Sequence, residues 1–213
     1  MSTRVVIAGA GGFGREIHAW LNGSPRFMEV ESITDIVYID DAQPEVPVPA
    51  AIISTLRDYV PAPGDALLCA IGIPAIRRAV VESLRERGAR FLTFRDDRAI
   101  VGANVTMGEG CIVCPGAVIT TNVELGTHVH VNINCSIGHD VRIGDYATLS
   151  PACNLMGGVT AESEVFFGTA ATVIPRKSIG EKSIVGSGSV VVKNVPPNVT
   201  TFGNPSVVIR KGE

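Results

Sequence analysis

The chain has no apolar run approaching the roughly 18 residues of a membrane-spanning helix, although 46% of its 213 residues are hydrophobic. The apolar residues are Val, Ile and Ala scattered among glycines, as in a strand-rich protein in water. It also lacks an excess of charge. Eighteen Lys and Arg against 21 Asp and Glu leave a formal charge of −3, which removes the electrostatic case for nucleic acid. The opening MSTRVVIAGAGG reads as a strand and a glycine turn where a signal peptide has its apolar core. Five cysteines, an odd number, suit reduced thiols. These features predict a cytoplasmic protein with no membrane partner. Cys111-Ile-Val-Cys114 is half of a zinc pattern with no second Cys pair or His pair to complete it, so no metal is expected.

A period of six residues runs through the second half. Its first positions include Val101, Val113, Leu125, Ile137, Leu149 and Val191, and all sixteen from 101 to 191 are apolar. Four residues on, at Cys111, Ala117, Val129, Cys135 and Cys153, the side chain is small or β-branched. This column turns polar only at Lys177, Ser183 and Ser189. Glycine often follows the first position, as at Gly102, Gly126, Gly138 and Gly144. Neither the helical nor the strand period fits. The pattern predicts a β-solenoid: each hexad gives a short strand and a corner, three hexads close a triangular coil, and coils stack at about 4.8 Å. The glycines are read as permitting the turns. Cys135 and Cys153, eighteen apart, should stack inside.

The first half reads differently. Thr3 to Asn22 is strand, tight turn, helix, with Gly9, Gly11 and Gly14 in a G-x-G-x-x-G arrangement. A second strand is expected at 36–39, ending at Asp40-Asp41. A third is expected at 66–71, ending at Gly72, and a helix at 74–87. The alternation predicts a small parallel α/β domain. Its turn offers backbone N–H groups at a helix N-terminus to a phosphate, and an acid after the second strand can accept hydrogen bonds from a ribose or base. A nucleotide, a dinucleotide and a purely structural turn all remain compatible. The domain boundary is expected in the charged stretch Arg95-Asp96-Asp97-Arg98, which gives domains 1–97 and 98–213. The tail from Lys193 carries Pro196-Pro197 and Asn204-Pro205 and should close the solenoid.

Of four histidines, His18 lies on the first helix, while His128 and His130 are expected at turn or outward positions. His139 stands two residues after Ile137 and should point outward at a corner. Eighteen residues on is Gly157, which leaves a gap and a bare N–H beside the imidazole. Asp140 can orient the ring. A base beside an N–H donor is the minimum for acyl transfer to an incoming amine or hydroxyl. The same spacing also fits an exposed histidine with no chemical task.

The hexads, the GAGGFGRE turn, YIDD at 38–41 and AIGIPAIRR at 70–78 together resemble the hexapeptide-repeat sugar acetyltransferases of the PglD/NeuD type. The resemblance implies a Rossmann-like domain followed by a left-handed parallel β-helix with a short C-terminal tail. It implies acetyl-CoA as cosubstrate, a nucleotide-linked amino sugar as acceptor and a homotrimer with sites shared between subunits. His139 would be the general base, tuned by Asp140, and Asn132 falls where an active-site asparagine is usual. Gly157 would donate its N–H to the thioester carbonyl. Acetyl-CoA would run past Thr169, Ser187 and Gly188 toward Gly203 and Pro205. The acceptor's nucleotide would sit on Gly9, Gly11, Gly12, Phe13, Gly14, Asp40, Asp41 and Gly72. Phe13 and Thr148 stand where relatives carry histidines. A sugar O-acetyltransferase, as in sialic acid modification, and a noncatalytic nucleotide-binding assembly module are the alternatives.

Overall fold

The computed structural model describes residues 2–211, in two compact units, Met1–Asp97 and Arg98–Glu213. The first holds four parallel strands, β1 (Thr3–Ala8), β2 (Ile33–Ile39), β3 (Ile52–Ser54) and β4 (Asp65–Cys69), in the order β3-β2-β1-β4. β1 and β4 are near-continuous apolar runs, the pattern of strands covered on both faces. The helices are α1 (Gly12–Asn22), α2 (Pro25–Val30) and α3 (Pro74–Glu86). α1 buries Gly14, Ile17, His18 and Leu21, and α3 buries Pro74, Arg77, Val81 and Leu84. Both stripes follow the spacing of a single helix face.

The expected strands shift at their ends: β2 starts three residues earlier and β4 stops two residues sooner. α2 and β3 were not anticipated. β3 is three residues long beside Pro44, Pro47 and Pro49, too short to show a period. α2 does carry a local signal, Pro25 at its first turn.

One ion cluster ties the N-terminal sheet together. Asp65 accepts from Arg4 Nε (2.8 Å) and Nη2 (3.0 Å), from Ala62 N–H (2.8 Å) and from the Tyr59 hydroxyl. Burial alone pushes the Asp65 carboxyl up. The bonds from Arg4, Tyr59 and Ala62 outweigh it and hold the group below its ordinary value.

The second unit contains sixteen two-residue strands, from Ile100–Val101 to Val190–Val191. They form three parallel faces in which partners are eighteen residues apart, as in Glu124↔Arg142, His130↔Thr148 and Ser136↔Asn154. The sixteen apolar hexad positions are the second residues of these strands. From Val113 onward they are buried in one continuous core with the small residues, Cys135 and Cys153 included. The hydrogen bond shared with Cys135 and burial push the Cys153 thiol up, so it stays protonated. At the open end Val101, Val105 and Met107 are only partly buried.

One feature corrects the sequence reading and a second completes it. The glycines after the apolar position are not there for the turn. A Cβ on Gly102 would meet Thr120 O at 1.9 Å, and on Gly144 or Gly168 the next coil's backbone nitrogen at 2.6 Å. They are glycines because coils stack at backbone distance. The left-handed turn residue lies two positions later and is mostly not glycine: Asn104, Asn122, His128, Asp140 and Arg176 all have φ between 53° and 60°. Second, Ser183 and Ser189 break the small apolar column for a reason. Both are fully buried. Ser183 Oγ donates to Pro196 O (2.7 Å) and accepts from Val199 N–H (3.2 Å), and Ser189 Oγ accepts from Gly203 N–H (3.1 Å). They anchor the tail, which adds Val199–Phe202 in parallel beside Ile184–Val185 and returns antiparallel through Val207–Lys211.

No helix among the described residues is long and apolar enough to cross a membrane, and none of their His, Cys, Asp or Glu side chains gather in threes for a metal.

Candidate active site

In the N-terminal unit the chain runs from β1 outward through β2 and β3, then crosses to β4 on the other side of β1. The C-terminal ends of β1 and β4 therefore flank the topological switch point, where open α/β sheets place ligands. The Gly9–Gly14 turn follows β1, and Gly72 follows β4. Gly9 has φ +110°, and a Cβ on Gly14 would meet Gly9 O at 2.0 Å. One glycine serves the turn and the other the close approach of α1. Gly11 faces open space and a Cβ on Gly12 would meet only Arg15 Nη2 at 3.9 Å, so neither position excludes a side chain. The exposed Gly72 is held from below: Arg77, fully buried, donates from Nη1 to Ile71 O (2.7 Å) and Gly72 O (3.1 Å). Phe13 meets Trp20 edge to face, centroids 6.1 Å apart.

Asp40 has a task the sequence did not disclose. Its Oδ2 accepts Ala10 N–H at 2.6 Å, and its Oδ1 accepts Ala42 N–H at 2.9 Å. It fixes the glycine turn from the neighbouring strand. Asp41 Oδ1 accepts Arg57 N–H at 3.3 Å. All the residues expected to meet a nucleotide thus lie along one edge of the sheet.

In the solenoid, His139 takes the corner position after Ser136–Ile137, and Asp140 takes the left-handed turn position with φ +60°. His139 Nδ1 lies 2.7 Å from Asp140 Oδ2, and both side chains are more than half exposed. The imidazole first, and then the Asn122 amide, hold the Asp140 carboxyl below its ordinary value. Gly157 is one coil on. A Cβ there would sit 2.5 Å from His139 Nε2, so the ring occupies the space a side chain would take. Gly158 N–H donates to His139 O at 2.8 Å, which fixes the two corners against each other. The arrangement is an imidazole with Nδ1 facing a carboxylate and Nε2 facing a glycine backbone.

The remaining residues do not join this group. Thr169 and Ser187 are one coil apart at the corner that follows Phe166–Phe167 and Ile184–Val185, a different face from that of His139. Asn132 follows His130–Val131 on that same face, with Oδ1 accepting Ile133 N–H. Gly188 (φ +68°) donates to Thr169 O, and Gly203 accepts from Val190 N–H. Within one chain, Asn132, Thr169, Ser187 and Gly188 line one edge of the prism, and His139, Asp140 and Gly157 line another.

The other three histidines are buried: His18 packs from the first helix and His128 stands at a turn position, both as expected, but neither His128 nor His130 is exposed. His128 is fully buried, stacked on Tyr146 at 5.2 Å, with Gly110 making room for it one coil earlier. His130 is also buried, in register between Ile112 and Thr148. His18 is buried and stacks on Tyr38 at 5.6 Å, and burial lowers its pKa. His139 is the exposed histidine of the four.

Residues 4–84 match the family model of the PglD N-terminal domain. The GDP-perosamine N-acetyltransferase of Escherichia coli O157:H7 is 32% identical over 211 residues, covering 94% of this chain and 93% of that protein. Among solved structures, WeeI from Acinetobacter baumannii AYE superposes with a TM-score of 0.87 at 28% identity, covering 98% of this chain and all of that one. PerB from Caulobacter crescentus, in complex with CoA and GDP-perosamine, gives 0.82 at 30% identity, covering 96% of each chain.

Proposed function

The chain belongs to the PglD/NeuD-type hexapeptide-repeat sugar acetyltransferases, and on that premise we propose that it moves the acetyl group of acetyl-CoA to the amino group of a nucleotide-linked amino sugar. The observation that carries this reading is the His139–Asp140 pair set against the Gly157 backbone. With Nδ1–H given to Asp140, the Nε2 lone pair is free to take a proton. The acceptor nitrogen attacks the thioester carbon while its proton passes to Nε2. Gly157 N–H donates to the oxyanion. Collapse breaks the C–S bond, the proton moves to the departing thiolate, and the products are the N-acetylated sugar and CoA. No side-chain nucleophile is required. The base and the N–H donor each contribute roughly 10²–10⁴-fold.

The α/β unit, through Gly9–Gly14 and Gly72, binds the acceptor's diphosphate and nucleoside. The corner of Thr169, Ser187 and Gly188 with Gly203 and Pro205 binds acetyl-CoA. This corner and the His139 corner lie on different edges of one prism, which supports a site assembled from two copies, as in the homotrimer that the resemblance implies. All five cysteines are buried and outside disulfides, in keeping with the reducing cytoplasm.

The test is release of CoA, read with a thiol reagent. The acceptors are GDP-perosamine, for which the E. coli relative is named, then UDP- and dTDP-linked amino sugars, with hydroxy sugars as controls. Turnover with an amino sugar that falls roughly 10²–10⁴-fold in His139→Ala supports the reading. Turnover with hydroxy sugars alone replaces it with O-acetylation. Failure to bind acetyl-CoA removes the enzyme reading and leaves a nucleotide-binding assembly module.

A further inference from the structure

The left-handed turn positions of successive coils form a column along one edge: Asn104, Asn122, Asp140, eighteen residues apart. Their side chains are linked. Asn104 Nδ2 lies 3.0 Å from Asn122 Oδ1, Asn122 Nδ2 lies 3.3 Å from Asp140 Oδ1, and Asp140 Oδ2 lies 2.7 Å from His139 Nδ1. Asp140 N–H also donates to Thr121 O at 3.1 Å. We propose that Asn122 is a positioning residue for acetyl transfer, its amide holding the Asp140 carboxylate against Nδ1 of His139. The inference deepens the catalytic reading above and rests on it.

The direction of every bond in this ladder follows from one fact: an ionised carboxylate only accepts. Asn122 must therefore present its NH2 to Asp140. Its carbonyl is then turned to Asn104, which must also present NH2. At the other end, the neutral ring of His139 must carry its proton on Nδ1, and Nε2 is then left as the bare nitrogen beside Gly157. The ladder selects the tautomer that a base at Nε2 requires. Without Asn122, an aspartate more than half exposed has one partner and a free rotamer, and a ring that exposed can flip. The charged neighbours of Asp140 do not replace the amide. Arg142 acts on it only at a distance and is paired with Glu124 at 3.3 Å.

Asparagine is common at left-handed positions for conformational reasons alone. In this solenoid, however, those positions also accept His128, Tyr146, Ala152, Glu164 and Lys182. The turn does not demand asparagine, whereas the bond to the Asp140 carboxylate needs a side chain that donates.

Two variants separate the roles. Asn122→Gly keeps the backbone unstrained at φ +54° and removes the amide. Asn122→Asp keeps the shape and replaces the donor with an acceptor. The first readout is the tautomer of His139, taken from the ring 15N shifts in two-dimensional NMR of the full-length protein, with His139→Ala assigning the signals. The second is kcat and KM for acetyl-CoA and the amino sugar. The expected result is a single Nδ1–H tautomer in the unsubstituted protein and a mixture in both variants. kcat should fall about tenfold, less than the loss of the base itself, with KM changed less than about twofold. An unchanged tautomer and an unchanged kcat in both variants would overturn the proposal. The two readings fail separately. A tautomer lost in the variants of a protein that turns over no acceptor keeps the positioning and removes the acetyl transfer. Turnover with a tautomer indifferent to residue 122 does the reverse.

Discussion

Gly157 shows how much one missing methyl can decide. Its backbone angle is open to alanine, yet a Cβ there would stand 2.5 Å from His139 Nε2. Gly157→Ala should therefore push the imidazole out while keeping the N–H. Expected is a loss of roughly 10²-fold or more in kcat with stability within about 0.5 kcal/mol, read by CoA release and thermal melting. Wild-type turnover in that variant would show that ring and acyl group need less room than the structure implies. A second residue-scale prediction concerns acid. Asp65 has a lowered pKa in the folded protein. Its stabilising contribution is complete above its unfolded value near 4 and is lost as pH falls through the lower folded value. Urea midpoints should be flat from pH 7 to about 5 on this account and drop below about 4. Asp65→Asn should have a lower midpoint at pH 7 and a flatter acid limb. At this scale the sequence disclosed the adjacency of His139, Asp140 and Gly157, because an eighteen-residue coil turns spacing into neighbourhood. It did not disclose Asp40. An aspartate after a strand looks the same whether its oxygens face a ligand or the Ala10 N–H.

The elements of the solenoid were legible because each is specified twice, by an apolar residue and by a small one four positions later. β3 and α2 were not, because three to six residues are too few for any period to stand out. The glycines were seen, and their reason was misread. The two kinds can be told apart by substitution. Gly144→Ala drives a Cβ into the backbone of Ser163 and Glu162, which cannot yield without separating the coils. It should cost about 1–3 kcal/mol, the usual penalty of overpacking. Gly188 has φ +68° and open space around its Cβ position, so Gly188→Asn, suited to that conformation, should change stability by less than about 1 kcal/mol. Thermal melts of the two variants side by side decide the matter. Equal losses would return the glycines after the apolar positions to a conformational role.

For the whole molecule, the two edges matter most. A trimer has three times the 22.4 kDa of the chain, which light scattering on a sizing column measures directly. Complementation tests sharing of the site. His139→Ala and Thr169→Trp damage different edges, so each alone should be inactive. Chains carrying one lesion or the other, co-expressed and purified together, should recover activity at those interfaces where an intact His139 edge meets an intact Thr169 edge. No recovery would confine the site to a single prism. The unbroken sixfold register also makes the prism a ruler. Eighteen inserted residues between Gly157 and Thr169 would lengthen it by about 4.8 Å and leave every bearing unchanged. Six would swing all that follows by a third of a revolution, because three hexads close a coil. On the proposed reading, the chain can thus change the span from the acetyl group's reaction point to the far end of its carrier only in whole coils, and selection acting on that reach would see steps rather than a continuum.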